Sequence, residues 1–133
     1  MLRGDLCGER GSVAIGIALV GVVLVLILGV GLVGAAASTY ASAAGAADAA
    51  ALASAPVTFR PFGARGSPRG EAARFARANG AVLIACTCRV DRSWGARTVS
   101  VTVSRSIALP VIGDVLVRAT SRAIFDPSAL LVP

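Results

Sequence analysis

The chain contains no histidine and no lysine, so all 13 of its basic residues are arginine. The absence of histidine excludes imidazole-based triads and His-containing zinc sites, and the absence of lysine excludes Schiff-base chemistry. Three cysteines cannot complete an all-thiolate tetrahedral zinc site within one chain. The seven acidic residues are scattered, so we predict a non-enzymatic protein with no metal, no cofactor and no small-molecule substrate.

Charged residues are also absent from a run of 22 residues, Val13 to Gly34. At about 1.5 Å per residue this run makes roughly 33 Å of helix, which matches a hydrocarbon core of about 30 Å. A core helix of a soluble protein would need a polar face, which the run lacks. A cleaved secretory signal is the rival interpretation, since Ala35-Ala36-Ala37 before Ser38 suits signal peptidase. The run is longer than the usual 7 to 15 or so residues, and we therefore predict a transmembrane helix at 13–34.

The arginines nearest to this run predict its orientation in the membrane. Arg3 and Arg10 precede the run, and the next arginine after it is Arg60. Because basic residues beside a membrane span stay in the cytoplasm, residues 1–12 are predicted to be a cytoplasmic segment. The expected location is the cell membrane, crossed once, with the C-terminal domain extracytoplasmic.

An alanine-rich segment, 35–55, follows the span and holds 13 alanines and one charged residue, Asp48. Alanine has the highest helix propensity, so we predict that the helix continues as a stalk. Small residues at steps of three and four form a smooth stripe that another helix could approach closely. The stripe comprises Gly31, Ala35, Ser38, Ser42, Ala46, Ala49 and Ala53. A plain stalk without a partner is the alternative, and the residues do not decide between the two.

Pro56 ends the stalk, and the proline- and glycine-rich residues 56–66 are predicted to be a linker. A small domain at 67–126 follows, and 127–133 is a tail. The domain opens with a helix of about twelve residues, because Ser67 suits the cap, Pro68 the first position and Asn79-Gly80 the end. Ala72, Phe75 and Ala76 share one face of this helix.

Two runs rich in β-formers come next, Val82 to Val90 and Thr98 to Arg105, separated by a polar turn. In the second run the valines 99, 101 and 103 alternate with hydroxyl residues, which predicts a strand with one packed and one wet face. The two runs form an antiparallel hairpin, and Val115 to Ile124 is the predicted third strand. The fold class is therefore α+β, with a long membrane-anchoring helix, a short helix and about three antiparallel strands.

The arginines after residue 34 number eleven against five acids, an excess of six positive charges. They are dispersed, and no aromatic residues alternate with them as they do on a nucleic-acid platform, so no nucleic acid is expected as a partner. The simplest interpretation is a solvated surface. A weak affinity for anionic lipid head groups or wall polymers is the alternative.

Cys86 and Cys88 flank one residue of the predicted strand, which places both side chains on one face, some 6 to 7 Å apart in an extended backbone. Three interpretations stay open. The cysteines are small packed residues, they form a disulfide, most plausibly between chains, or they serve a metal or redox role. Cys7, on the cytoplasmic side, is either inert or acylated.

Three stretches of the sequence carry a resemblance to a known family. They are Glu9-Arg10-Gly11-Ser12-Val13-Ala14-Ile15 before the span, Ala46-Ala47-Asp48-Ala49-Ala50-Ala51-Leu52-Ala53 in the stalk, and Ala78-Asn79-Gly80-Ala81 leading to the cysteine strand and a Val-x-Val-x-Val strand. With these stretches the chain resembles TadE/TadG-like proteins, pilin-like components of tight-adherence (Flp-type) pilus systems, and in particular the short actinobacterial TadE-like proteins.

The resemblance implies a minor pilin or pseudopilin. Prepilin peptidase would then cut after Gly11, leaving Ser12 as the new N-terminus, and the apolar helix would pack among other pilin-like subunits on an assembly platform. Pilins usually carry a glutamate as the fifth residue after the cut, where this sequence has Gly16.

Two functions are consistent with the sequence. The first is a structural or assembly component of a tight-adherence pilus or related secretion apparatus. The second is a membrane-anchored basic module that binds the cell envelope and does not polymerise.

Overall fold

The computed structural model describes residues 8–59, 66–109 and 113–131, with the backbone alone for 8–12. Its elements in chain order are helix α1 (Gly8–Ser54), a 3-10 turn (Pro56–Thr58), helix α2 (Pro68–Ala78), strands β1 (Val82–Thr87), β2 (Arg97–Leu109) and β3 (Gly113–Phe125), and a second 3-10 helix (Pro127–Leu131). The chain divides into two compact units, Met1–Ala35 and Ala36–Pro133. The α+β prediction of a long apolar helix, a short helix and three antiparallel strands is confirmed.

Helix α1 runs for 47 residues without interruption. The predicted helix at 13–34 and the predicted stalk are both helical, and they belong to one element. Pro56, which has no amide hydrogen to donate, follows the last turn and opens the 3-10 turn instead. Ser54 and Thr58 donate hydroxyl hydrogen bonds to the carbonyls of Ala51 and Ala55, which also accept backbone amide hydrogen bonds at this helix end.

Alanine is the main core residue of the second unit. On α1 the fully buried positions recur at helical spacing: Ala43, Ala46, Ala47, Ala50 and Ala51. They belong to one apolar cluster with Val99, Val101 and Val103 of β2, together with the buried alanines of α2 and β3. Alanine has only a methyl side chain, so the core of this unit is built mainly from small apolar groups.

Helix α2 begins and ends as its sequence predicts. The Ser67 hydroxyl accepts a hydrogen bond from the Gly70 amide, and Pro68 occupies the first turn. At the other end Gly80 has a φ of +70°, a left-handed conformation that glycine adopts without cost. Ala72 and Ala76 are buried, and Phe75 packs against the same cluster.

The sheet has the order β1-β2-β3 with both pairs antiparallel. The packed valines 99, 101 and 103 are buried as predicted, whereas Ser104, expected on the wet face, is only 6% exposed. Its small side chain lies between those of its cross-strand neighbours Val82 and Arg118, which explains the burial. The third strand, Gly113–Phe125, is longer than the predicted Val115 to Ile124.

Strand β1 departs most from its prediction. It stops at Thr87, three residues before Val90, and its pairing with β2 shifts between Leu83 and Ala85. The extra residue at this bulge lets Leu83 and Cys86, three positions apart, both pair with buried valines of β2.

The predicted linker and tail are partly structured. Within 56–66 the first residues form the 3-10 turn, Thr58 and Phe59 are buried, and residues 60–65 lie outside the described part of the chain. Just before the tail, the Asp126 carboxylate accepts hydrogen bonds from the amide and hydroxyl of Ser128, 3.0 and 2.6 Å long, at the start of the last 3-10 helix. These hydrogen bonds, the hydroxyl one first, lower the pKa of Asp126 below its usual 3.8.

Candidate functional site

The apolar segment 13–34 of α1 is exposed along almost its whole length. Leu19 is 62% exposed, Val25 69% and Val30 73%. An 18-residue window of this helix has a mean hydropathy of 3.1, and none of that window is buried. Within the described residues, one helix is long and apolar enough to cross a membrane, and it is this one.

Glycines leave the backbone of this segment open to close approach. Apart from the nearby backbone of the helix itself, no atom of the described residues lies within 4 Å of the position a Cβ would take at Gly16, Gly21, Gly29, Gly31 or Gly34. Gly29 and Gly34 line a shallow apolar groove beside Val25, Val30 and Val33. Small residues of this kind let helices in a membrane pack closely.

The predicted small-residue stripe lies beside the buried face of α1 rather than on it. Gly31, Ser38 and Ser42 are exposed, Ala35, Ala49 and Ala53 are half-buried, and Ala46 alone of the seven is fully buried. At about 100° per residue, the stripe is centred roughly 100° around the helix from the alanines that face β2. Whether another helix packs on the stripe stays a prediction.

The predicted cleavage site and the first cysteine lie at the start of the chain. Gly11 and Ser12 fall inside α1, which begins at Gly8, and their side chains are outside the described part of the chain. Cys7 also lies outside the described residues.

Cys86 and Cys88 are paired with each other as a disulfide, so the expectation of a bond between chains is wrong. The sequence predicts an extended backbone across both residues, but Cys88 lies just after the end of β1, so the Cα atoms are 5.3 Å apart, within the usual range for a disulfide. Cys88 Sγ lies 3.9 Å from the Ser54 hydroxyl at the end of α1. No group of three or more Cys, Asp or Glu side chains that could hold a metal occurs among the described residues.

A cluster around Arg97 joins the 3-10 turn to one end of the sheet. Arg97 Nη1 donates to the carbonyls of Asp91 at 2.6 Å and Thr58 at 3.3 Å, and Nη2 donates to those of Ser93 and Gly95. The Asp91 amide donates to the Thr58 carbonyl at 3.0 Å. One guanidinium therefore holds the β1–β2 connection closed.

Aromatic rings cover the same cluster. The Phe59 ring is fully buried, with the Arg97 guanidinium 5.3 Å from its centre. Trp94 packs edge-on against Phe59 at 4.9 Å, and Phe125 lies 6.4 Å away. This cluster was not predicted from the sequence, because Phe59 stands among prolines and glycines. An aromatic residue in an otherwise linker-like stretch was the available signal.

Some arginines of the second unit form hydrogen bonds or ion pairs within the fold, and others do not. Arg74 pairs with Glu71 at 2.8 Å, Arg97 is committed to the cluster above, and Arg105 reaches the Asn79 carbonyl at the end of α2. Arg118 and Arg122 on β3 are both exposed, and within the described residues neither forms an ion pair. These two remain available to an external partner.

Comparisons with known proteins found no match. No protein-family model matches the chain, no curated protein is similar to it in sequence, and no solved structure matches its fold.

Proposed function

We propose that this chain is a non-enzymatic, pilin-like structural or assembly component of a tight-adherence pilus or a related secretion apparatus. The observation that carries the proposal is the division of α1. Residues 13–34 of the helix are apolar and exposed, whereas from Ala43 onward the same uninterrupted helix supplies core residues to a small α+β domain. A helix of this kind needs lipid or other helices around its apolar half.

Membrane insertion satisfies that need. The segment Val13 to Gly34 contains fifteen Val, Ile and Leu residues. At roughly −0.3 to −0.6 kcal/mol each they favour insertion by about 5 to 9 kcal/mol before the cost of the glycines. Arg3 and Arg10 keep the N-terminus in the cytoplasm, so the domain at 67–126 is displayed outside the cell membrane.

Assembly then proceeds through the helix. Helices in lipid associate by close van der Waals packing of small residues, and the exposed Gly31, Ser38 and Ser42 supply such a surface. The partners are other pilin-like subunits and a tight-adherence assembly platform, as the resemblance implies. Because Gly16 stands where pilins carry a glutamate, association here relies on close packing and not on a buried charge pair.

Prepilin-type cleavage after Gly11 is part of the proposal. It would remove Arg3, Arg10 and Cys7 and leave Ser12 as the N-terminus, with the apolar helix intact. The cleaved chain would remain in the membrane, since residues 13–34 are retained.

Photo-crosslinking in native membranes tests the assembly role. A benzoylphenylalanine at Ser42, on the stripe, should form adducts with neighbouring subunits, because a partner helix packs there. The matched control is Tyr40, which is also exposed but lies on the opposite side of the helix. Equal adduct yields at the two positions, or none at either, would contradict the proposal. The intact mass of the same protein shows whether the chain begins at Met1 or at Ser12.

A further inference from the structure

Strands β2 and β3 extend beyond the rest of the sheet as a two-stranded arm. Strand β1 pairs with β2 only as far as Ser104, so within the described residues Arg105–Leu109 of β2 pairs with Gly113–Val117 of β3 alone. We call these two segments the hairpin arm. Among the residues that the structure describes, the core cluster extends along β3 no further into the arm than Val117. A two-stranded hairpin is marginally stable in water, so a surface that covers the arm would stabilise it.

The hairpin arm is mainly apolar. Residues 107–117 of the sequence include seven Val, Ile and Leu residues and one charged residue, Asp114. Leu116 is 59% exposed on one side of the arm, and the cross-strand pair Ile107 and Val115 on the other side is half-buried. Apolar side chains that are exposed together at one end of a domain are typical of an interaction surface.

Helix α1 lies along the sheet, and two contacts define its direction. Ser121 donates a hydrogen bond to the Asp48 carboxylate. Ten residues further along the chain, the Thr58 carbonyl accepts one from Arg97, whose cross-strand partner is Phe125. Ten residues of helix rise about 15 Å, and the four residues of β3 between these contacts rise about 13 Å. The end of α1 and strand β3 therefore lie side by side and run in the same direction.

The hairpin arm consequently lies at the end of the domain where α1 enters it. From Asp48 back to Ala36 the helix extends about 18 Å. From Ser121 back to Val115 the strand extends about 20 Å, so Val115 is roughly level with Ala36. The end of the strand lies two residues further in the same direction. Under the proposed function the span ends at residue 34, which places this end of the domain at the membrane surface.

We propose that the hairpin arm enters the lipid head-group layer on the outer side of the membrane and forms a second membrane contact of this chain. The inference rests on the proposed membrane span and goes beyond it, because a span alone does not require the domain to touch lipid.

The chemistry of the arm matches a lipid interface. Such an interface accepts apolar side chains at the acyl boundary and basic side chains among the head groups. Leu116 supplies an exposed apolar side chain, and Arg118, exposed on the same side of β3, lies two residues further from the end of the hairpin. Its guanidinium can bind lipid phosphate. Asp114 is tolerated at this depth, because the cost of a charged side chain falls steeply from the bilayer centre to the interface.

Spin labelling of the full chain in phosphatidylcholine nanodiscs tests this inference. A nitroxide is attached at Leu116→Cys in a Cys7→Ser background, in which Cys86 and Cys88 are paired with each other. The measurement is the ratio of its collision rates with oxygen, which concentrates in lipid, and with a water-soluble nickel chelate. This ratio should be several-fold higher than at the matched control Ile124→Cys, which is also exposed and lies eight residues along the same side of β3.

A third label, at Leu24→Cys within the span, separates this inference from the membrane span itself. A high ratio at Leu24 with a low ratio at Leu116 would overturn the inference and leave the span intact. Equally high ratios at Leu116 and Ile124 would overturn it too, since the whole side of β3 would then lie on lipid. Shielding of Leu116 from both reagents would mean that a second protein chain covers the arm, which also contradicts the inference. A low ratio at Leu24 would overturn the span and the inference together.

Discussion

At the residue scale, the β1–β2 connection depends on a few polar side chains. The Asp91 carboxylate accepts hydrogen bonds of 2.9 and 2.8 Å from the amide and hydroxyl of Ser93, and Arg97 binds the Asp91 carbonyl from the other side. The hydrogen bonds from Ser93, the amide one first, lower the pKa of Asp91 below its usual 3.8. Arg97 lowers the pKa further through its charge.

This shift predicts the effect of acid on the domain. A carboxyl whose pKa is lower in the folded state stabilises the fold above its unfolded pKa, and the stabilisation is lost as the pH falls through the folded pKa. The urea midpoint of the full chain in detergent, followed by Trp94 fluorescence, should therefore stay level down to about pH 5 and fall below about pH 4. Asp91→Asn should lower the midpoint at about pH 7 and flatten the acid decline.

The control for this prediction is Asp114→Asn, which removes the same charge near the start of β3, away from the β1–β2 connection. It should keep the acid decline of the unaltered chain. If Asp91→Asn and Asp114→Asn behaved alike, the hydrogen bonds of the β1–β2 connection would not be the source of the decline.

At the element scale, α1 has two faces with different requirements. The face toward β2 is built from alanines, of which Ala43, Ala47 and Ala50 are fully buried, while Leu52 on another side is 67% exposed. A larger side chain on the buried face has no space to occupy unless the helix moves away from the sheet.

The substitution Ala50→Leu tests this packing. It should destabilise the domain by about 1 to 3 kcal/mol through overpacking, measured as a shift of the urea midpoint. Leu52→Ala, two residues along, should change stability by no more than about 0.5 kcal/mol, because its side chain contributes little burial. A neutral result for Ala50→Leu would show that α1 does not pack on β2 through this face.

The elements themselves were largely predictable from the sequence, and the reasons are local. The alanine-rich continuation and the Ser-Pro helix start reflect backbone preferences. The charge-free run and the strict Val-x-Val-x-Val alternation reflect which side chains are kept from water. The end of β1 and its bulge near Ile84 were not predictable, because they depend on register with β2. The Arg97 cluster depends on contacts between Thr58 and a loop more than thirty residues away, for which the sequence has no periodic signal.

At the scale of the whole molecule, the chain joins two units that meet different physical demands. The first unit exposes apolar side chains that no described part of the chain covers, and the second has a small core made of alanine and valine. Under the proposed function the first unit anchors and associates within the membrane, and the second lies outside it. Neither role requires catalytic residues.

The central claim is that residues 13–34 span the cell membrane with the small domain outside. Its most direct test is thiol labelling of intact cells that carry Ala129→Cys in a Cys7→Ser background. Ala129 is exposed, and Cys86 and Cys88 are paired and do not compete for the reagent. We predict that a membrane-impermeant maleimide labels the new thiol without permeabilisation and that the labelled protein is recovered in alkali-washed membranes. Labelling only after the cells are opened, or labelled protein in the soluble fraction, would contradict the claim.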